Sequence, residues 1–146
     1  MNNTIGKVIN LFITTKNEKT PREKKESIFI DEYGIIDDKF YNKDINRSIL
    51  VSSTDSYLLA SNNHIKLDDG VLGENILIDI NPYYLKAGNK IQIGKTILEV
   101  TQNCTICKGL TKINSKLPKL LKDDRGIFFK TIKGGEIKIG NKVSII

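Results

Sequence analysis

The chain has 146 residues, the length of one domain, and it can bury a core without disulfide staples. Its net charge of +6 invites a nucleic-acid reading, yet only Arg22, Arg47 and Arg125 are arginines and the lysines are dispersed, which argues against an RNA or DNA partner. No apolar run approaches the ~18 residues that span a bilayer. The opening Met1-Asn2-Asn3-Thr4 lacks the basic and apolar regions of a secretory leader, and the two cysteines, three apart, suit a reducing cytoplasm.

In chain order, residues 6–13 read as a first strand, buried on at least one face. Residues 16–26 are charged and carry Pro21, so a solvated loop is expected. Residues 27–30 are a second strand, stopped by the turn residues of 31–34, and residues 34–40 lead into another loop. Arg47 opens the strand of residues 47–52. Its paired N–H donors can clamp a phosphate or carboxylate, or form an internal salt bridge to Asp37 or Asp38.

Ser52 or Ser53 then caps a helix that runs to about Asn63, with Asp55 in its first turn. Tyr57, Leu58 and Ile65 are expected to face the core. His64, the only histidine, has no evident partner and reads as structural. After the Asp68-Asp69-Gly70 turn, Gly73-Glu74-Asn75 precedes an apolar strand. Gly73 allows a positive φ or close backbone approach. Glu74 can orient a ligand amine or hydroxyl, and Asn75 can both donate and accept. The same triplet reads equally well as a turn that starts the strand, with Asn75 bonding the backbone.

Residues 82–88 are a connector. Residues 90–93 and 96–101 form a hairpin around Gly94-Lys95, and residues 137–143 repeat the shape. A short helix is expected after Pro118. Residues 123–126 turn into a strand at 127–132, and Arg125 poses the same choice as Arg47. Many strands, glycine turns and one or two short helices predict a mainly β fold, a closed or partly closed barrel.

Both cysteines follow the strand Leu98-Glu99-Val100-Thr101-Gln102. A structural zinc wants four ligands, and one distant histidine does not complete the set, so no zinc is expected. A thioredoxin-like dithiol belongs at a helix start within βαβ units, unlike these β-rich surroundings. Two options remain: a reactive Cys107 with Cys104 beside it, or two thiols packed as small hydrophobes. Lys108 and the basic charge favour the thiolate, the nucleophilic and metal-ligating form. A Walker loop, a Gly-x-Gly-x-x-Gly after a strand and a Gly-x-Ser-x-Gly elbow are all missing.

One ordered series spans much of the chain: Gly73-Glu74-Asn75-Ile76, Gly88-x-x-Ile91-x-Ile93-Gly94, Leu98-Glu99-Val100-Thr101-Gln102, Cys107-Lys108, Arg125-Gly126-Ile127-Phe128 and Gly135-x-Ile137-x-Ile139-Gly140-x-x-Val143. Over residues 6–145 it resembles the MOSC domain, named for the C-terminal domain of molybdenum cofactor sulfurases. The resemblance implies a MOSC-like barrel and a working cysteine at Cys107. In a sulfur-carrier version Cys107 accepts a sulfane sulfur and passes it to a metal centre. In a cofactor-bound version Cys107 ligates the molybdenum of the molybdenum cofactor (molybdopterin), a metal suited to soft sulfur. Arg47, Glu74, Asn75, Thr101, Gln102, Lys108 and Arg125 would surround that anionic cofactor. The resemblance also suggests reduction of N-hydroxylated compounds, with a protein partner supplying electrons or sulfur. Family members carry such functions on added domains: a pyridoxal-phosphate desulfurase, an extra β domain or an iron–sulfur domain. The alternative is a non-catalytic module that sequesters or delivers the cofactor. One departure stands out. The family's Gly-x-x-x-Asp stretch is usually followed by a basic residue and a histidine, whereas Lys39 and Phe40 follow Asp38 here.

Overall fold

The computed structural model describes residues 5–105 and 108–146. The strands are β1 (Ile5–Thr14), β2 (Arg22–Lys25), β3 (Ser27–Asp31), β4 (Gly34–Ile35), β5 (Ile49–Ser53), β6 (Ile76–Ile78), β7 (Lys90–Ile93), β8 (Thr96–Asn103), β9 (Ile127–Lys133), β10 (Gly135–Lys138) and β11 (Lys142–Ile145). The helices are α1 (Thr54–Asn62), α2 (Lys108–Ile113) and α3 (Leu117–Leu120), and a 3-10 turn covers Ile45–Arg47.

Seven strands close a mixed barrel. The ladder runs β11-β7-β8-β9-β5-β6-β1 and returns to β11 through Ile5↔Ser144, Gly6↔Val143 and Lys7↔Lys142. The parallel pair is β5 with β6, and a parallel pair needs a long crossover, supplied here by α1 and the segment up to Asn75. Alternation sets the inward face: Thr96, Leu98 and Val100 of β8 are buried while Ile97, Glu99 and Thr101 are partly exposed. A second sheet, β10-β3-β4, contributes Ile28, Ile30, Ile35 and Ile137 to the core that holds Leu11, Ile49, Ile76, Leu98 and Phe129. A separate cluster joins the helices: Ala60, Ile65, Leu72, Leu110, Leu117 and Leu121.

Four expectations need correction. Residues 22–25 are not loop but the strand β2, paired with β1 in the register Thr14↔Arg22 to Leu11↔Lys25. A charged edge strand carries no apolar alternation, so its sequence reads as loop. Leu58 is 60% exposed; Ala60 is buried in its place, with Tyr57 and Leu59 packed beside it. Residues 137–143 do not form a second hairpin. Their strands part at Gly140, β10 pairing with β3 and β11 with β7 and β1. Helix also begins earlier than Pro118: α2 precedes it, and Pro118 sits in the first turn of α3, where its missing N–H costs nothing. Ser53 caps α1, its hydroxyl accepting the Asp55 N–H. No helix of the described residues is long and apolar enough to cross a membrane.

Candidate functional site

The barrel leaves a cavity of about 540 Å³ where β1, β2 and β5 meet the segments before β5, before β6 and on either side of the link between β8 and β9. Its lining includes Arg22, Phe40, Lys43, Asp44, Arg47, Leu50, Asn75, Cys104, Arg125 and Phe128. Four of these are cations and one is an acid. All three arginines of this lysine-rich chain line it, although they lie far apart in sequence.

The hydrogen bonds and ring contacts of each guanidinium go to neutral groups, while Arg22 also feels the nearby Glu74 and Asp38 carboxyls. Arg22 reaches the cavity from β2. Its Nη1 donates to Thr14 Oγ1 at 2.9 Å and its Nη2 to the carbonyls of Gly70, at 3.2 Å, and Glu74. Phe12 lies against the same group, 5.4 Å from ring centroid to Cζ. Arg47 ends the 3-10 turn that Asp44 caps by accepting the Asn46 N–H, and its guanidinium stacks on Phe128 at 5.1 Å. Arg125 precedes β9 and donates from Nε and Nη2 to the Leu72 carbonyl, both at 3.2 Å. Gly126 beside it is closely packed: a Cβ would lie 2.9 Å from Leu50 Cδ1, and that side chain would have to shift to admit it. No salt bridge joins Arg47 to Asp37 or Asp38 among the described residues. Among the described residues, Arg22 Nε, Arg47 Nε and Arg125 Nη1 are each buried without a hydrogen-bond partner. Three guanidiniums and a lysine against one aspartate at one cavity suit an oxyanion, to which guanidinium N–H groups donate well.

Asn75 lines the cavity while spending its amide on backbone. Its Oδ1 accepts the Leu50 N–H at 3.0 Å, and its Nδ2 donates to the Phe12 carbonyl at 3.2 Å and to Asp38 Oδ1 at 3.4 Å. Of the two uses expected of Gly73, a positive φ or close backbone approach, the structure shows the positive φ, 91°. Glu74 is fully buried behind the lining. Its Oε2 accepts the Tyr57 hydroxyl at 2.6 Å and the Gly70 N–H at 3.2 Å, while its Oε1 has no partner. Burial pushes the Glu74 carboxyl above the ordinary range despite those donors, and burial together with Glu74 raises the Tyr57 hydroxyl. Burial likewise raises Asp38, although it accepts the Thr14 N–H at 2.8 Å and the Phe40 N–H at 3.1 Å.

The remaining candidates scatter. The Thr101 hydroxyl faces the carbonyls of Asn46 and Phe128 and ties the 3-10 turn to the barrel. Gln102 is exposed on β8, opposite Phe128. Lys108 opens α2. Cys107, and with it the molybdenum-ligand reading, lies outside the described residues. Cys104 is buried in a small cluster with Leu50 and Phe128 and lines the cavity. The sequence reading passed over Arg22, Phe40 and Lys43. The signal for Arg22 was present: in a chain so rich in lysine, the rare arginines mark places where a planar, many-donor cation is needed.

The MOSC domain profile matches residues 37–144, well over half of the chain. Solved structures share the fold, among them those of three named proteins. The YuaD protein from Bacillus subtilis is 16% identical with a TM-score of 0.82, covering 97% of this chain and 96% of that one. YiiM from Geobacillus stearothermophilus is 13% identical with a TM-score of 0.72, over 98% of this chain and 75% of that one. YiiM from Escherichia coli is 15% identical with a TM-score of 0.72, over 98% and 70%. No curated protein matches. At such identities the structures speak for the barrel alone, and the profile speaks for the lineage: the chain belongs to the MOSC domain family.

Proposed function

We propose that this domain binds the molybdenum cofactor or carries sulfur for it, with Cys107 as the reactive group and the arginine-lined cavity as the seat of the cofactor's anionic end. The observation that carries the reading is the convergence of all three arginines, Arg22, Arg47 and Arg125, on one cavity. The residues fit such a group: a phosphate offers acceptors to guanidinium donors, and the apolar walls of Leu50 and Phe128 lower the dielectric around the pair. When bound, the cofactor supplies a redox-active metal with a preference for soft sulfur ligands.

The chain's own side chains have separate tasks in this reading. Arg47 and Arg125 bind and orient the oxyanion. Asn75 holds the wall between β1 and β5 in place. Cys107, next to Lys108 in sequence, presents a thiolate as metal ligand or as acceptor of a sulfane sulfur. Reduction of N-hydroxylated compounds, or sulfur delivery, then requires a protein partner that donates electrons or sulfur.

The test is to purify the protein from cells supplied with molybdate, oxidise a sample and measure pterin fluorescence, while weighing intact protein for one added sulfur atom. Pterin that is lost in Arg47→Gln/Arg125→Gln supports cofactor binding. An added sulfur that is lost in Cys107→Ser supports transfer. Pterin without turnover identifies a delivery module. A folded protein with neither signal overturns the proposal.

A further inference from the structure

We propose that the cavity selects a ligand that carries a planar ring beside its oxyanion, and that Phe40 is the residue that recognises the ring. This rests on the reading of the cavity as an anion site. Its volume, about 540 Å³, lies within the roughly 300–1,000 Å³ that house drug-sized molecules and is far more than a bare oxyanion needs. Two aromatic side chains line it. Phe128 is 9% exposed and already carries the Arg47 guanidinium, whereas Phe40 is 49% exposed. Phe40 is thus the aromatic surface left for a ligand.

Exposure alone would mean little, because single exposed apolar side chains are common. What distinguishes Phe40 is how firmly its segment is held. Residues 37 and 42 take left-handed conformations, with φ 74° at Asp37 and 55° at Asn42. Between them nearly every polar group is engaged. The Lys39 N–H donates to the Thr14 carbonyl at 2.6 Å, the Phe40 N–H to Asp38 Oδ2 at 3.1 Å and the Tyr41 N–H to the Asp38 carbonyl at 3.0 Å. The Asn42 N–H donates to the Tyr33 carbonyl at 2.9 Å, and the Tyr41 hydroxyl donates to Asp31. The Lys39 ammonium lies 5.8 Å from the Phe40 centroid. A backbone held in this way keeps the ring's point of attachment at the cavity, so less order has to be imposed when the ring stacks on a ligand. Arg22, Arg47 and Arg125 line the same cavity and supply the oxyanion contacts.

The experiment uses two phosphate monoesters of equal charge, methyl phosphate and phenyl phosphate, titrated calorimetrically into the full chain. Phenyl phosphate is expected to bind about fivefold tighter than methyl phosphate. Phe40→Ala should bring the ratio of the two affinities close to one, and Phe40→Tyr should keep it. Arg125→Gln should weaken both esters and leave the ratio in place. Equal affinity of the wild-type protein for the two esters overturns the inference while the anion reading stands. So does an unchanged ratio in a folded Phe40→Ala. Failure of both esters to bind overturns the anion reading and, with it, this one.

Discussion

The Asn75 amide satisfies backbone groups on two strands at once, the Leu50 N–H of β5 and the Phe12 carbonyl of β1, and it meets the buried Asp38 carboxyl as well. Glu74 beside it does something different: its carboxyl is sealed against Tyr57 and Gly70, and it stands behind Arg22. Burial is the largest influence on Glu74 and raises its pKa above that of the unfolded chain, with Tyr57, Gly70 and Arg22 opposing. The folded state therefore holds this proton more tightly than the unfolded state. The resulting stabilisation is complete below the unfolded value, about pH 4, and is lost as pH rises through the folded value. Glu74→Gln removes the titration and keeps an acceptor for Tyr57. Its urea midpoint relative to wild type should rise steadily as pH increases above the ordinary carboxylate range. A difference that stays flat above that range would show that Glu74 does not titrate there.

At the scale of elements, the junction between β9 and β10 decides how the second sheet meets the barrel. The chain leaves the barrel at Lys133 and enters the small sheet at Gly135, so Gly134 is the hinge between them. A Cβ there would lie 2.3 Å from the Ile30 carbonyl oxygen and 3.2 Å from Asp31 Cα. Both are backbone atoms of β3, which cannot step aside as a flexible side chain can. Gly134→Ala should cost about 1–3 kcal/mol, read as a lower denaturation midpoint at unchanged slope. An unaltered midpoint would mean that β3 and β10 shift without penalty. β2 makes a related point. It adds a third partner to β1, beside β6 and β11, and delivers Arg22 to the cavity, yet its sequence Arg22-Glu23-Lys24-Lys25 shows no strand pattern at all.

For the molecule as a whole, closure rests on β11, which sits between β1 and β7 and buries Val143 completely. Without it, two strands would expose unpaired N–H and C=O groups, and Val8, Ile91 and Ile93 would lose cover. A chain ending at Gly140 should therefore lose its sharp near-ultraviolet circular dichroism and unfold over a broad range of urea. Coincident, steep transitions in that truncated chain would show that the remaining strands close by themselves. The cavity depends on the same closure, because its arginines come from β2, from the turn before β5 and from the turn before β9.

Local chemistry made a good part of this protein legible from its residues. Apolar runs marked β1, β3, β7 and β8, Ser52 or Ser53 marked the start of α1, and Gly73 was read as a positive φ or a close approach, of which the fold takes the positive φ. These features depend on neighbours within a few positions, which a single sequence displays. Arg47, Asn75 and Arg125 were legible as polar residues at strand ends, and the fold brings all three to one cavity. What stayed hidden was settled by partners distant along the chain. The pairing of β2 with β1, the parting of β10 from β11, the outward turn of Leu58 and the meeting of Arg22 with Phe40 are examples. Each of these depends on which surface arrives opposite a segment once the barrel has closed, and no local pattern of charge or hydropathy encodes that arrival.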